Sequence, residues 1–224
     1  MVTAVEKTTG GGMTPVNIAV LVSGGGTNLQ ALIDAEKAGQ LGTGKLSVVL
    51  SSNPDAYALE RARAAGIPTL IVNRKDHADR SDFTQSLIEP LITRNIGLVV
   101  LAGFMFVLDP AFCEAFHNRV INVHPALIPA FAGDGYYGLR VHRAALEYGV
   151  QLTGATVHFV SPETDGGPII SQKAVSVRPD DTPETLQRRV MEQAEWALLP
   201  NAVRLFCEGQ LRVEGRRVLI SENN

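Results

Sequence analysis

Apolar positions along this chain follow two rhythms that take turns. Val16–Val22 is a near-continuous β-branched and apolar run, and Leu46–Leu50, Thr69–Val72 and Gly97–Ala102 repeat that pattern. Runs of this kind suit strands covered on both faces. Between them the apolar residues change to helical spacing: Leu29, Leu32, Ile33 and Ala35, then an alanine-rich stretch from Ala56 to Ala65 closed by Gly66, then Phe83, Leu87, Ile88, Leu91 and Ile92. Ser81 is a candidate cap for the third of these helices, and Pro90 predicts a kink or a break inside it. Strands alternating with helices predict an α/β fold, a doubly wound and mostly parallel sheet with helices on both faces.

The second half departs from that alternation. Asp109-Pro110 opens a short helix to about Phe116, and the apolar run Arg119–Val123 follows. A helix over Val141–Tyr148 leads to two further strands, Thr153–Val160 and Ile169–Val177. The loop joining these strands, Ser161–Pro168, is short enough to make them an antiparallel pair, so the sheet is expected to be mixed. Asp180-Asp181-Thr182-Pro183 caps a long helix from Glu184 to about Cys207. A small hairpin at about residues 210–221, with strands Leu211–Val213 and Val218–Ile220, ends the chain. Residues 1–15, with Gly10–Gly12 inside them, read as an untethered, disordered lead, and residues 16–224 as one domain.

Composition narrows the classes. At 224 residues, 45% hydrophobic and 19% charged, the chain is globular and large enough for one α/β core. A net charge of −3 and a pI near 6.0 give no electrostatic case for nucleic acid or an anionic membrane. No run approaches the ~20 apolar residues that span a bilayer. Cys113 and Cys207, the only cysteines, are too few for a disulfide framework, and both fall on helical segments as buried thiols of a reducing cytoplasm.

Three stretches carry candidate chemistry. The first strand runs into Ser23-Gly24-Gly25-Gly26-Thr27-Asn28 and then a helix, the geometry that binds an anion on free backbone N–H groups. A dinucleotide motif would need a small residue at Leu29, and a P-loop would need Lys-Ser/Thr after its glycine. A generic phosphate cradle, with Thr27 and Asn28 as donors, or a plain tight turn remain. The run Arg119–Val123 stops at His124-Pro125. Strand alternation points Asn122 and His124 the same way, and Pro125 bends the chain from the sheet at the end where α/β proteins bind ligands. Asn122 and His124 are therefore candidates for a donor and an acid/base, against the alternative of a turn histidine satisfied by backbone. Met105-Phe106-Val107-Leu108, after the fourth strand, is too apolar for a solvent loop and is either core or the wall of a pocket for a flat ring. Phe131–Gly138, rich in glycine and tyrosine, reads as a mobile loop near the site.

No nucleophile stands beside His124, and no cluster has metal-ligand spacing, so no metal is expected. Direct transfer between two bound substrates suits such a site: an amine attacks an activated carbonyl while protein groups stabilise the oxyanion and move protons. Asp165 is the carboxylate that would raise the pKa of His124 and take the amine's proton, or else only a turn residue before Gly166-Gly167.

Ser23-Gly-Gly-Gly-Thr-Asn-Leu-Gln30, Leu101–Met105, Ile121-Asn-Val-His-Pro-Ala-Leu-Ile-Pro129, Thr153–Phe159 and Asp165-Gly-Gly-Pro168 together closely resemble the phosphoribosylglycinamide formyltransferases, folate-dependent enzymes of purine biosynthesis. The match runs in order from about Asn17 to Pro200. The resemblance implies Asn122, His124 and Asp165 as the catalytic trio. It implies Gly24, Gly25, Gly26, Thr27 and Asn28 as the phosphate site, with Glu195 at the glycinamide. Arg80, Met105, Phe106, Val107 and Leu108, with Asn122 and Asp165, would bind the folate. It further implies 10-formyltetrahydrofolate as co-substrate, glycinamide ribonucleotide as acceptor, a cytoplasmic monomer or homodimer, a phosphate-binding half at about residues 16–120 and a catalytic, folate-binding half at about residues 98–207. Two positions depart from the family pattern: Phe106 stands where Arg is frequent, and Phe131–Gly138 is longer and richer in tyrosine than the usual Pro-Gly turn.

Neighbouring activities are expected to need additional domains. A methionyl-tRNA formyltransferase would add a carboxyl-terminal RNA-binding domain, whereas about two dozen residues follow Pro200. A formyltetrahydrofolate hydrolase would carry a regulatory domain that Met1–Pro15 cannot hold. A phosphate-binding module in which His124 and Asp165 are structural is the rival of another class.

Overall fold

In the computed structural model, which describes residues 14–221, nine strands form one mixed sheet. The lead-in expected to be disordered lies, through residue 13, outside the described residues. Strand β1 (Val16–Val22) leads to helix α1 (Thr27–Lys37), β2 (Gly44–Ser51), α2 (Tyr57–Ala64) and β3 (Thr69–Ile71). Then come α3 (Arg80–Thr93), β4 (Leu98–Leu101), α4 (Pro110–Ala115), β5 (Val120–His124), α5 (Leu139–Tyr148), β6 (Leu152–Phe159) and β7 (Ile169–Ser176). Helices α6 (Pro183–Val190) and α7 (Trp196–Cys207) precede the hairpin β8 (Leu211–Glu214) and β9 (Arg217–Ile220).

The sheet order is β3-β2-β1-β4-β5-β6-β7-β9-β8. β1 to β5 are parallel neighbours, whereas β5–β6 and β6–β7 are antiparallel, as the short connection before Pro168 predicts. Alternation in β1 divides the core in two. Ile18, Val20 and Val22 pack under α1, α2, α6 and α7, while Ala19 and Leu21 pack with Phe83, Leu87, Phe112 and Phe116 of α3 and α4 and the turn after it. Helices on both faces leave the strand ends as the free polar surface. The chain winds outward from β1 to β3 and then returns to place β4 on the other side of β1. That reversal opens a crevice above the carboxyl ends of β1, β4 and β5.

Three local expectations change. α3 is capped by Asp79, whose side chain accepts from the Asp82 N–H, and Ser81 lies inside the helix. The same helix continues through Pro90 without a break, because Phe83, Leu87, Ile88 and Leu91 stay packed against the sheet. The long helix expected over residues 184–207 is interrupted, since Met191–Glu195 widens into π-helical turns between α6 and α7. Its chemically ordinary residues give no warning of this, and π-bulges concentrate at functional sites. Among the described residues no helix is long and apolar enough to cross a membrane. Cys113 and Cys207 are free and buried.

Candidate active site

β5 ends at His124, and Pro125 ends the ladder as expected. The turn that follows is clamped from β6: the Thr156 hydroxyl donates to the Ala126 carbonyl at 2.7 Å and accepts from Ile128 N–H at 3.1 Å. Asn122 and His124 therefore leave a fixed strand end. Opposite Asn122 in the antiparallel register stands His158. His158 donates through Nδ1 to the Phe159 carbonyl at 2.8 Å, which leaves Nε2 to accept from the Asn122 amide at 3.2 Å. The amide is thus oriented and retains one N–H for a ligand.

Asp165 belongs to the loop between β6 and β7, and its φ of 54° is left-handed. Its carboxylate returns to the β5 end: Oδ2 lies 3.3 Å from His124 Nδ1, and Oδ1 lies 3.6 Å from His158 Nε2. Gly133 N–H donates to the same carboxylate at 3.0 Å, and His124 Nε2–H donates to the Phe131 carbonyl at 2.8 Å. The glycine-rich loop is thereby tied to both members of the pair. Burial works to raise the Asp165 pKa, but the rings of His158 and His124 and the Gly133 N–H outweigh it, so the carboxyl sits below its ordinary value and is ionised. For His124 the balance runs the other way. Burial is the largest influence and lowers its pKa, and Asp165 and the Phe131 carbonyl only partly restore it. The expectation that Asp165 holds His124 charged near neutrality is therefore corrected: in this geometry desolvation outweighs the carboxylate, and the imidazole is neutral at pH 7. Two acceptors nevertheless flank the ring, so a proton arriving at Nδ1 meets the carboxylate directly.

These groups line a cleft of about 410 Å³, within the range of small-ligand sites. One wall is Gly103–Leu108, beyond β4. Met105, Phe106 and Val107 are partly or largely exposed there while Leu108 is buried, and Phe106 meets Phe83 and Phe104 edge-on at 5.5 and 5.9 Å. Ser23, to which the sequence pattern assigns no contact of its own, anchors this wall: its N–H donates to the Gly103 carbonyl at 3.1 Å and its hydroxyl accepts from Met105 N–H at 3.0 Å. Arg80, at the first turn of α3, bonds the Leu108 carbonyl and so supports the wall from behind, outside the lining.

At the other end the cleft is polar. Asn28 Nδ2 donates to Glu195 Oε2 at 2.6 Å, and Gln187 and Met191 stand beside them. Glu195 comes from the π-helical turns, is 5% exposed, and burial pushes its pKa up to about 7 against the opposing Asn28 bond. Gly24–Thr27 do not line the cleft. They form the turn into α1, where Gly26 has φ 72° and a Cβ would come within 2.6 Å of the Ala58 Cβ. No side chain caps this helix, so its first-turn N–H groups stay free for an anion. Arg61, unremarked in the sequence, donates to the Gly25 carbonyl at 2.9 Å and brings positive charge to that turn. A larger groove of about 1010 Å³ between α1 and α7 contains none of Asn122, His124 and Asp165.

The family profile described as formyl transferase matches residues 16–203. The chain belongs to the formyl transferase family. Among curated relatives, this formyl transferase is 41% identical over 198 residues to the phosphoribosylglycinamide formyltransferase of Escherichia coli, covering 88% of this chain and 90% of that one. The enzyme of the same name from Haemophilus influenzae is 39% identical over 197 residues, with the same two coverages. The crystal structure of glycinamide ribonucleotide transformylase 1 from Symbiobacterium toebii superposes with a TM-score of 0.88 at 44% identity, covering 97% of this chain and 99% of that one. The mixed, mostly parallel sheet is thus the fold of the family.

Proposed function

We propose that this formyl transferase moves the formyl group of 10-formyltetrahydrofolate onto the glycinamide amine of N1-(5-phospho-D-ribosyl)glycinamide, in purine biosynthesis. The observation that carries this reading is the 3.3 Å approach of Asp165 to His124 between an apolar wall and a buried polar end of one cleft. The wall of Met105–Leu108 takes the flat pterin, with Arg80 bracing it. The polar end takes the acceptor, with Glu195 and Asn28 at the glycinamide and the phosphate reaching past the cleft lining to the N–H groups of Gly24–Thr27 at the start of α1. One domain spanning 16–224 thus holds a phosphate-binding half at about residues 16–120 and a catalytic, folate-binding half at about 98–207, with Arg80 of the first and Glu195 of the second reaching across.

The amine attacks the formyl carbon, and negative charge develops on the formyl oxygen. Asn122 gives that oxygen its free N–H. His124 gives its Nε2–H once that proton exchanges the Phe131 carbonyl for the substrate oxygen, so loop and chemistry are linked. Asp165, ionised, accepts the proton the amine loses, and the folate nitrogen that leaves takes one up.

Purified protein with both substrates tests the reading. Formylglycinamide ribonucleotide and tetrahydrofolate should appear in equal amounts, and folate binding without transfer would sink it. His124→Asn and Asp165→Asn should each lower kcat by roughly a hundredfold or more, the scale of general acid–base and oxyanion groups. Turnover close to wild type in both would return the pair to a structural role.

A further inference from the structure

α5 presents Val141, His142 and Ala145 to the interior. An aliphatic residue would fill the middle position without polar cost, yet the chain places an imidazole there with none of its surface exposed. Buried histidines ordinarily donate to a carbonyl or carboxylate, as His124 and His158 do. Among the described residues, neither Nδ1 nor Nε2 of His142 has a protein partner. A buried ring with two unmet hydrogen-bonding atoms, lining the same cleft as His124, Gln187 and Glu195, is a group whose partner is bound rather than built in.

We propose that His142 is a binding residue for the acceptor substrate, holding an uncharged hydroxyl or amide group of the glycinamide ribonucleotide. The assignment rests on the acceptor named above. The side of the cleft follows from packing: α5 lies against α6, which contributes Gln187, whereas the apolar wall comes from the far side of β5, after β4. The type of partner follows from charge. Burial, with His124 adding to it, pushes the His142 pKa down to about 4, so the ring is neutral at pH 7 and offers one donor and one acceptor. A neutral imidazole suits a hydroxyl or amide and gives a phosphate no ionic attraction.

His142→Leu in the whole protein tests this. Removing an unsatisfied polar group in favour of an apolar one of similar reach leaves the melting temperature equal or higher. The KM for glycinamide ribonucleotide, and its Kd by calorimetry without folate, should rise about tenfold, with kcat and the folate KM little changed. His142→Gln, which keeps a donor and an acceptor, should recover part of the loss. Unchanged acceptor affinity in His142→Leu, whatever its melting temperature, overturns the assignment, and so does an equal rise in the folate KM. Should His142→Leu fail to fold, acceptor affinity in His142→Gln and His142→Phe decides: equal values in both overturn the proposal. A wild-type protein that transfers no formyl group refutes the function proposed above. Transfer with unaltered acceptor affinity in the variants refutes this inference alone.

Discussion

Glu195→Gln should make the protein more stable at alkaline pH than the wild type, and indifferent to the change at mild acid. Glu195 is 5% exposed, and among the described residues its side chain takes one hydrogen bond, at 2.6 Å from Asn28. Burial moves its pKa from 4.5 to about 7. A folded-state pKa above the unfolded one means the folded protein holds the extra proton. The stabilisation is therefore complete below about 4.5, falls as pH rises, and is gone once pH passes about 7. A shift of two and a half units corresponds to about 3 kcal/mol at 1.36 per unit. Glutamine keeps the oxygen that accepts from Asn28 and cannot ionise, so it escapes this loss. Urea unfolding of both proteins at pH 5 and pH 8.5 isolates the effect, because every other titration cancels in the difference. Since the loss has begun by pH 5, the variant should gain about 2.5 kcal/mol on the wild type between the two pH values, or roughly 5–10 °C in melting temperature for a domain of this size. A stability difference that stays flat with pH would refute the reasoning, and would mean that Glu195 ionises with water or a cation at hand. Protonation also explains a loose end. Asn28 Oδ1 has no partner among the described residues, and a protonated carboxyl brings an O–H to the amide that already bonds it.

Two further outcomes follow from the same geometry. Gly167→Ala would set a Cβ 1.8 Å from the Phe159 carbonyl oxygen, so the loop carrying Asp165 must shift; kcat should fall at least tenfold with a clear loss of thermal stability, and wild-type turnover would show that the loop's position is not critical. Asp181 is held well below the usual carboxylate range by its paired hydrogen bonds to Arg189, so its stabilisation is present above its unfolded value near 3.8 and is lost on acidification. Asp181→Asn should lower the melting temperature at pH 7, by an amount that shrinks between about pH 4 and pH 2, and a constant deficit would refute the ion-pair account.

The parallel half of the fold was legible because strands covered on both faces have little choice of residue: Val16–Val22 reads the same in isolation as in the sheet. The end of β5 was legible too, since Pro125 cannot donate to a ladder and so marks the strand's last residue. Asp165 was not decided by local pattern. Aspartate before two glycines suits any turn, and only the antiparallel pairing of β5 with β6 brings that turn back to His124. The charge of His124 was misjudged for a related reason. A neighbouring carboxylate can be guessed from residue types, but the desolvation that opposes it depends on how the surrounding segments pack over the ring. Asp79 displaced Ser81 as the cap of α3 because both are good capping residues two positions apart, and packing chose the register. The orphaned ring of His142 cannot be read from a helical pattern, which says that a position is interior and nothing about what its nitrogens meet.

The π-helical turns at Met191–Glu195 impose a rule on chain length. An α-helix advances about 100° per residue. A π-helical turn, closed by i→i+5 bonds, holds about one residue more than an α-helical turn, so removing one residue and restoring a regular helix there would leave α6, with Gln187, nearly in phase with α7 and narrow the turn that carries Glu195. The loss would fall on the Asn28–Glu195 bond at the polar end of the cleft rather than on the packing of either helix. Gly135–Gly138, beyond the bond from Gly133 to Asp165, lies between β5 and α5 outside any regular element and absorbs a change of length as slack. Lineages and engineers should therefore find changes of length compatible with the fold in both segments, with acceptor binding lost at the helix and kept at the tip of the tyrosine loop, two segments that border the same ligand.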